Sequence, residues 1–80
     1  MQIEYSNQAI KTISRMDTTT KNRINKGILG IPDGDIKTFK GSPGSYRLRI
    51  GNWRIIFSYP DKDTILIEKI APRGEIYKGV

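Results

Sequence analysis

Arginines recur at alternate positions in the second half of the chain, and their spacing suits the binding of phosphate. One residue separates Arg47 from Arg49, and Arg54 follows shortly after a reverse-turn signal at 51–52. A guanidinium group is always protonated in proteins, and its planar fork of N–H donors matches two oxygens of a phosphate. The expected chemistry is therefore the binding of a polyanion and the stabilisation of negative charge on it.

Acidic residues are absent from the region around these arginines. No Asp or Glu occurs between positions 36 and 60, while this stretch carries five positive charges. The five bases are Lys37, Lys40, Arg47, Arg49 and Arg54. Crowded like charges repel one another, so a bound polyanion would stabilise the folded state. The alternative interpretation is an ordinary solvated sheet face, on which Lys and Arg are common.

The composition restricts which side chains can carry out catalysis. The 80 residues include 14 Lys and Arg against 8 Asp and Glu, a formal net charge of +6 at pH 7, and they include no Cys and no His. Disulfides and nucleophile–imidazole pairs are therefore excluded, and structural zinc is almost excluded. Catalysis has to use Arg, Lys, Tyr, Asp or Glu. A pI near 9.8 favours nucleic acid or an acidic protein as the partner.

The length predicts a single domain over residues 1–80. The first residues lack the basic segment and apolar run of a signal peptide. No apolar stretch approaches the roughly 18–20 residues needed to cross a bilayer. We therefore expect a cytoplasmic protein with no membrane partner.

The first half of the sequence predicts one short strand and two helices. Residues 2–5 alternate polar and apolar side chains, as a half-buried strand does. Ser6 is a good N-cap for a first helix. The expected apolar face of that helix consists of Ala9, Ile10, Ile13 and Met16. Asp17 is the expected N-cap of a second helix over 18–29, and Gly30 suits a left-handed position after its end.

The second half changes to a period of two and predicts three strands. They cover 46–50, 53–59 and 64–70. Short turns join them at 51–52 and 60–63, and residues 36–40 are interpreted as a connection. The predicted fold is α+β: an antiparallel β-sheet with an N-terminal αα-hairpin packed on one face, in the order β-α-α-β-β-β.

Strand alternation decides which face of the sheet receives the arginines. Residues i and i+2 point to the same side, so Leu48 and Ile50 face the helices. Arg47 and Arg49 then face away from them. If the aromatic residues of the next strand are core, Arg54 shares the face of these two arginines across the hairpin. The sequence therefore predicts three guanidinium groups on the open face of the sheet.

Two runs of residues resemble the RelE/ParE toxin superfamily of bacterial type II toxin–antitoxin systems. The first is SYRLRIGNWRIIF over 45–57, and the second is IAPRGEIY over 70–77. Together with the two-helix start, the resemblance spans essentially the whole chain. It is strongest to the RelE branch, because that branch pairs strand bases with a tyrosine near the end of the chain.

The resemblance implies a ribosome-dependent endoribonuclease that cleaves mRNA in the ribosomal A site. In the family, a ribose 2′-oxygen attacks the adjacent phosphate and leaves a 2′,3′-cyclic phosphate and a free 5′-hydroxyl, without a metal or other cofactor. The residues that match the family's catalytic positions are Arg47, Arg49, Arg54, Arg73 and Tyr77. The residues expected to bind RNA are Lys37, Lys40, Arg47 and Arg49.

One difference from the family concerns the general base. RelE-type enzymes often have lysines where this chain has Arg47 and Arg49, and a guanidinium that is already protonated is a poor acceptor for the 2′ proton. Glu75 is one candidate for the base, and Tyr77 is a second group that could relay or orient the 2′-hydroxyl. A third route is positioning on the ribosome with electrostatic stabilisation. Arg73 is the family-matched candidate for protonating the leaving oxygen.

The resemblance also implies a protein partner. Toxins of this family are held by a cognate antitoxin, whose acidic disordered segment would fold over the basic face as it binds. Two other functions stay open at this point: a ParE-like inhibitor of DNA gyrase, and a catalytically degenerate homologue that only binds RNA. Cuts within translated mRNA would distinguish the endoribonuclease from both.

Overall fold

The computed structural model describes residues 2–72, which form two helices and one five-stranded sheet. In chain order the elements are β1 (Gln2–Tyr5), α1 (Asn7–Ser14), α2 (Thr18–Leu29), β2 (Asp35–Thr38), β3 (Ser45–Ile50), β4 (Trp53–Asp61) and β5 (Thr64–Pro72). The predicted α+β class is confirmed. The strands β4 and β5 each extend two residues beyond their predicted ends.

The sheet is mixed, whereas the sequence predicted a fully antiparallel one. Its strand order is β1-β5-β4-β3-β2, and β1 runs parallel to β5 with Tyr5 opposite Ile67. The other three pairs formed by the described strands are antiparallel. Parallel neighbours need a long connection, which here spans residues 6–63. The prediction was wrong for this pair because a local pattern contains no information about so distant a neighbour.

A short edge strand lies where the sequence predicted a connection. β2 pairs antiparallel with β3, and Ile36 lies opposite Leu48. Ile36 is half-buried while the other residues of β2 are exposed. The segment therefore lacks the apolar alternation by which strands are recognised in a sequence. It becomes a strand because the edge of β3 offers hydrogen-bonding partners to its backbone.

Both helices begin at the predicted caps. The Ser6 hydroxyl accepts a hydrogen bond from the Ala9 N–H at 3.1 Å, and the Asp17 carboxylate accepts one from the Thr20 N–H at 3.2 Å. These bonds satisfy donors that have no partner inside the helix. Neither α1 nor α2 is long and apolar enough to cross a membrane.

The end of α2 differs from the prediction at Gly30. Its φ of −82° is right-handed, so the predicted left-handed position is wrong. The Gly30 N–H donates to the carbonyls of Lys26 and Gly27, and the Ile31 N–H donates to that of Ile28. These short-range bonds satisfy the terminal carbonyls without a change of handedness.

The main hydrophobic core lies between the two helices and one face of the sheet. Buried Ala9 and Ile28 of the helices meet Leu48 and Phe57 of the strands. The predicted contribution of Ile10 to this core is wrong, since Ile10 is 53% exposed. Ala9 occupies the position that packs inward, and the next residue of a helix points about 100° away from it.

Side chains at the start of α1 complete the hydrogen bonding of β5 beyond the end of β1. The Gln8 amide donates from Nε2 to the Ile70 carbonyl and accepts at Oε1 from the Ile70 N–H, both at 3.1 Å. The Ser6 hydroxyl donates to the Glu68 carbonyl at 2.7 Å. An open sheet edge would otherwise expose these backbone groups to water or to another chain. The helix layer is thereby fixed to the last strand.

Candidate nucleic-acid interface

The sheet face turned away from the helices bears the arginines singled out in the sequence. Arg49 on β3 lies directly opposite Arg54 on β4, and Arg47 lies opposite Ile56. Alternate residues of a strand share a face, so these three arginines lie on the side opposite to the core residue Leu48. We call this side of the sheet, defined by the three arginines, the arginine face.

Arg49 and Arg54 bring two positive charges together. Directly opposed residues on antiparallel strands have Cβ atoms about 4.5–5.5 Å apart, and like charges there destabilise the pairing. Arg49 is exposed, whereas Arg54 is only 6% exposed. The Nη1 atom of Arg54 donates to the carbonyls of Gly51 at 2.9 Å and Trp53 at 3.1 Å. Arg54 is therefore fixed against the β3–β4 turn, while Arg49 faces solvent.

An acid lies among these bases, although the stretch between 36 and 60 contains none. Asp35, the first residue of β2, lies opposite Arg49, and its Oδ1 is 3.6 Å from Nη2 of Arg47. The arginine face is therefore not free of acid, because β2 brings residue 35 back beside the arginines. The Asp35 side chain is 47% exposed but the Arg47 side chain only 14%, so Arg47 is largely covered, whereas the sequence predicted an open position for it.

The two predicted RNA-binding lysines lie near the β2 edge. Lys37 is opposite Arg47 in the register of β2 and β3, and it is exposed. Lys40 is also exposed, in the loop 39–44 between these strands. Lys37 therefore extends the arginine face to the edge of the sheet, whereas no strand register relates Lys40 to it.

Phe39 covers part of the arginine face, which the sequence predicted to be open. Phe39 is 8% exposed and forms a small second apolar cluster with Ile56 and Ala71. Ile56 lies opposite Arg47 and Ala71 opposite Arg54, so both belong to this face. Sequence reasoning missed Phe39 because a single aromatic residue in a loop produces no periodic signal.

A carboxylate from β5 holds the start of β3 beside that cluster. The register of β4 and β5 shifts between Ile56 and Phe57, which pair with Lys69 and Ile67. Glu68 between these two is the extra residue of a β-bulge in β5. Both carboxylate oxygens of Glu68 accept from the Ser45 hydroxyl at 3.2 Å. The Phe39 N–H donates to the Ser45 carbonyl at 2.9 Å. Ser45 thus anchors the loop 39–44, and Glu68 adds a second acid that the sequence analysis had not singled out.

Three of the predicted site residues lie outside the described residues. They are Arg73, Glu75 and Tyr77. The last described residue, Pro72, lies opposite Trp53, and Ala71 lies opposite Arg54. The structure therefore brings the three strand arginines together, and the roles of the terminal residues stay predictions.

Solved structures that share this fold contain a toxin and its antitoxin. The chain matches the RelB–RelE antitoxin–toxin complex of Methanococcus jannaschii with a TM-score of 0.74 and 26% identity, over 92% of this chain and 94% of that one. This chain has the RelE toxin fold. It also matches the RelE–RelB complex of Pyrococcus horikoshii OT3 (TM-score 0.68, 22% identity, 92% and 96% covered) and the RelBE complex of E. coli (TM-score 0.70, 14% identity, 92% and 96% covered). No protein-family model and no curated protein sequence matches it.

The residues behind the sequence resemblance occupy a defined part of the RelE fold. Residues 45–57 form β3, the turn after it and the first half of β4. These two strands lie inside the sheet, between β2 and β5. The first of the two runs therefore falls on the strands that bear the arginine face, whereas the second, 70–77, starts at the end of β5 and continues outside the described residues.

Within the RelE fold, the arginine face can bind and polarise a phosphodiester. Arg49 presents an exposed guanidinium that can donate to two oxygens at once. Arg54 adds a fixed, nearly desolvated positive charge, and charges interact more strongly there than in water. Such fixed cations stabilise negative charge that grows on phosphate oxygens in a transition state. Among residues 2–72, no three carboxylates come together in a way that could hold a metal ion.

Proposed function

We propose that this protein is the toxin of a toxin–antitoxin pair and that it cleaves translated mRNA on the ribosome, in the cytoplasm. The observation that supports this best is the opposed pair of Arg49 and Arg54 on the arginine face of a RelE fold. Like charges at directly opposed strand positions destabilise a sheet, and a bound anion relieves the repulsion. An RNA backbone offers such an anion at every nucleotide.

In the proposed reaction, a ribose 2′-oxygen attacks the adjacent phosphorus and the 5′-oxygen of the next nucleotide leaves. The products are a 2′,3′-cyclic phosphate and a 5′-hydroxyl, and no water is consumed. One proton leaves the 2′-hydroxyl and one reaches the 5′-oxygen, so the step is balanced. Arg49 binds the non-bridging phosphate oxygens, and Arg54 stabilises the charge that develops on them.

Arg47 joins the proposed site once phosphate replaces its carboxylate partner. The ion pair with Asp35 is 3.6 Å long and half-exposed on the Asp35 side, so an RNA phosphate competes for the same guanidinium. Lys37 lies opposite Arg47 and adds electrostatic attraction for the RNA. Each phosphate neutralised in this way releases counterions, which makes binding sensitive to salt.

The terminal residues are assigned to the proton transfers. Arg73 is proposed to give a proton to the leaving 5′-oxygen, since an alkoxide is a stronger base than a neutral guanidine, and to regain that proton from water. Glu75 or Tyr77 takes or relays the 2′ proton, unless positioning on the ribosome suffices. The chain reaches Ala71 opposite Arg54, two residues before Arg73 in the sequence.

We also propose a cognate antitoxin as the protein partner. The matched structures are complexes of RelE with RelB. A chain with a net charge of +6 attracts an acidic segment, and a segment lying on Arg49 would exclude RNA. Co-expression with the neighbouring reading frame should give one heterocomplex in size-exclusion chromatography. Two separate monomers would contradict this partner.

The first test compares Arg49→Gln with Arg15→Gln. Both substitutions remove one exposed guanidinium, but Arg15 is the C-cap of α1, on the helix side of the sheet. After induction, primer extension should detect discrete cuts within translated codons for the wild type and for Arg15→Gln. Arg49→Gln should reduce cutting by about 10²–10³-fold, the typical effect of losing one donor to a transition-state oxyanion.

Three results would change the proposed function. If Arg49→Gln cuts mRNA as efficiently as the wild type, the arginine face takes no part in the reaction. Intact mRNA together with a DNA-damage response would identify gyrase as the target. Intact mRNA together with salt-sensitive RNA binding would identify a degenerate toxin. Circular dichroism of each variant confirms that it has folded.

A further inference from the structure

Arg23 on α2 reaches the β3–β4 turn, far from it in the sequence. A Cβ atom placed on Gly51 would lie 2.8 Å from Nη2 of Arg23 and 3.7 Å from its Cζ. Gly51 has a φ of +55°, a left-handed conformation that other residues rarely adopt. Glycine at this position therefore allows both the turn and the close approach of the guanidinium.

A second guanidinium contacts the same glycine from the arginine face. Nη1 of Arg54 donates to the Gly51 carbonyl at 2.9 Å. Arg49 precedes Gly51 by two residues, which is about 7 Å along a strand. The arginines Arg49, Arg54 and Arg23 therefore surround the β3–β4 turn. They continue the positive charge of the arginine face around the end of the sheet and onto the helix layer.

The guanidinium of Arg23 lies beside the turn without an acid as its partner in the described residues. Within residues 2–72, no carboxylate oxygen lies within 4.0 Å of its guanidinium, and Arg23 is exposed. The helix α2 contains no Asp or Glu, and it contains Lys21 and Lys26 besides Arg23. The N–H donors of Arg23 are therefore available to a ligand.

We infer that Arg23 binds an RNA phosphate, and that the RNA backbone crosses the β3–β4 turn from Arg49 to Arg23. This inference rests on the proposed function and adds a contact outside the predicted site. A single strand of RNA has a charge at every nucleotide, which suits guanidinium groups that follow one another around a turn. An acidic protein segment offers carboxylates to the same guanidinium, so antitoxin binding is measured beside RNA binding.

The experiment measures binding of a short single-stranded RNA with 2′-O-methyl riboses, which cannot be cleaved, over a series of NaCl concentrations. Arg23→Gln should weaken binding several-fold. It should also reduce the slope of log K against log [NaCl] by about 0.7, the value for one phosphate contact to a single strand. Arg23→Lys keeps the charge and should keep the slope.

Lys11→Gln is the matched control. It also removes one exposed positive charge, but from α1, which packs on β5 and β1 and not on β3. Its slope should equal that of the wild type. Thermal unfolding of each variant shows whether the turn is preserved.

Equal slopes of log K against log [NaCl] for Arg23→Gln and Lys11→Gln would overturn the inference. If the wild-type protein still binds RNA and cuts mRNA, the proposed function is unaffected by that result. Weaker antitoxin binding with an unchanged RNA slope would also overturn it, because Arg23 would then belong to a protein interface. If Arg23→Gln destabilises the turn, the folded Arg23→Lys variant decides the question. It keeps the positive charge, so a reduced salt slope in this variant would count against the inference. A wild type that neither binds RNA nor cuts mRNA would overturn both proposals.

Discussion

Among individual residues, Arg54 combines a structural and an electrostatic role. It is the one buried charged side chain between residues 2 and 72. A buried guanidinium is unfavourable unless hydrogen bonds replace its hydration, and the carbonyls of Gly51 and Trp53 accept two such bonds. Loss of mRNA cutting in an Arg54 variant would therefore not be sufficient to assign Arg54 a catalytic role.

Arg54→Ala should lower the free energy of unfolding by about 2 kcal/mol, because the turn carbonyls lose a charged donor. Arg49→Ala should change it by less than about 0.5 kcal/mol, as expected for an exposed side chain. Urea denaturation followed by circular dichroism measures both values. Equal denaturation midpoints for the two variants would contradict the structural role of Arg54.

Among the helices and strands, α2 sets the distance between the helix layer and β3. A Cβ atom at Gly27 would overlap Cδ1 of Ile50, so the helix lies so close to β3 that an added side chain would force Ile50 to move. Arg23 precedes Gly27 by four residues, about one helical turn, and therefore lies on the same side of α2. The close approach at Gly27 thus brings Arg23 to the β3–β4 turn.

The pair Gly27→Ala and Gly30→Ala tests this close packing. Alanine favours a helix by about 1 kcal/mol over glycine, but at Gly27 overpacking against Ile50 costs about 1–3 kcal/mol. We expect Gly27→Ala to destabilise the protein by about 1 kcal/mol in urea denaturation. At Gly30 the nearest atom lies 3.5 Å from the added Cβ and φ is right-handed, so Gly30→Ala should be neutral or stabilising. If Gly30→Ala destabilises the protein more than Gly27→Ala does, the close packing at Gly27 is refuted.

The N-cap of α2 predicts a dependence of stability on pH. Hydrogen bonds from the hydroxyl and the N–H of Thr20 lower the pKa of the Asp17 carboxyl. A carboxyl whose pKa is lower in the folded state stabilises the fold above its unfolded pKa, and this stability is lost as the pH falls through the folded pKa.

Asp17→Asn keeps a capping side chain but cannot titrate, so it should reduce the loss of stability below about pH 4. Thermal unfolding midpoints at about pH 3 and about pH 6 measure the effect. The same shift in the wild type and in the variant would exclude Asp17 as the cause.

For the molecule as a whole, positive charge lies on both sides of the sheet. The segment 7–29 contains one acid, Asp17. Its five bases are Lys11, Arg15, Lys21, Arg23 and Lys26. The arginine face lies on the other side, where the Asp35–Arg47 ion pair offsets part of the charge. A fold with a net charge of +6 therefore repels itself.

NaCl should raise the thermal unfolding midpoint of the isolated protein. Screening shortens the Debye length from about 30 Å at 0.01 M to about 10 Å at 0.1 M, which weakens the repulsion between the two basic sides. The same salt should weaken RNA binding, so stability and affinity should change in opposite directions. A midpoint that stays constant or falls with NaCl would show that this repulsion does not limit stability.

Local patterns were sufficient for the helices, for the β3–β4 hairpin and for the shared face of Arg47, Arg49 and Arg54. Helix caps act over three or four residues, and strand alternation acts over two. A short turn fixes which residues of a hairpin oppose each other. These features depend on close neighbours in the chain, and for this reason they can be predicted from sequence.

Long-range packing was needed for the rest. The parallel pairing of β1 with β5, the burial of Phe39 and the approach of Asp35 to Arg47 all join residues that are distant in the chain. So does the contact of Arg23 with Gly51, which depends on how closely α2 lies on β3. Which distant side chains meet is determined by the joint burial of all the elements, and no single segment of the sequence contains that information.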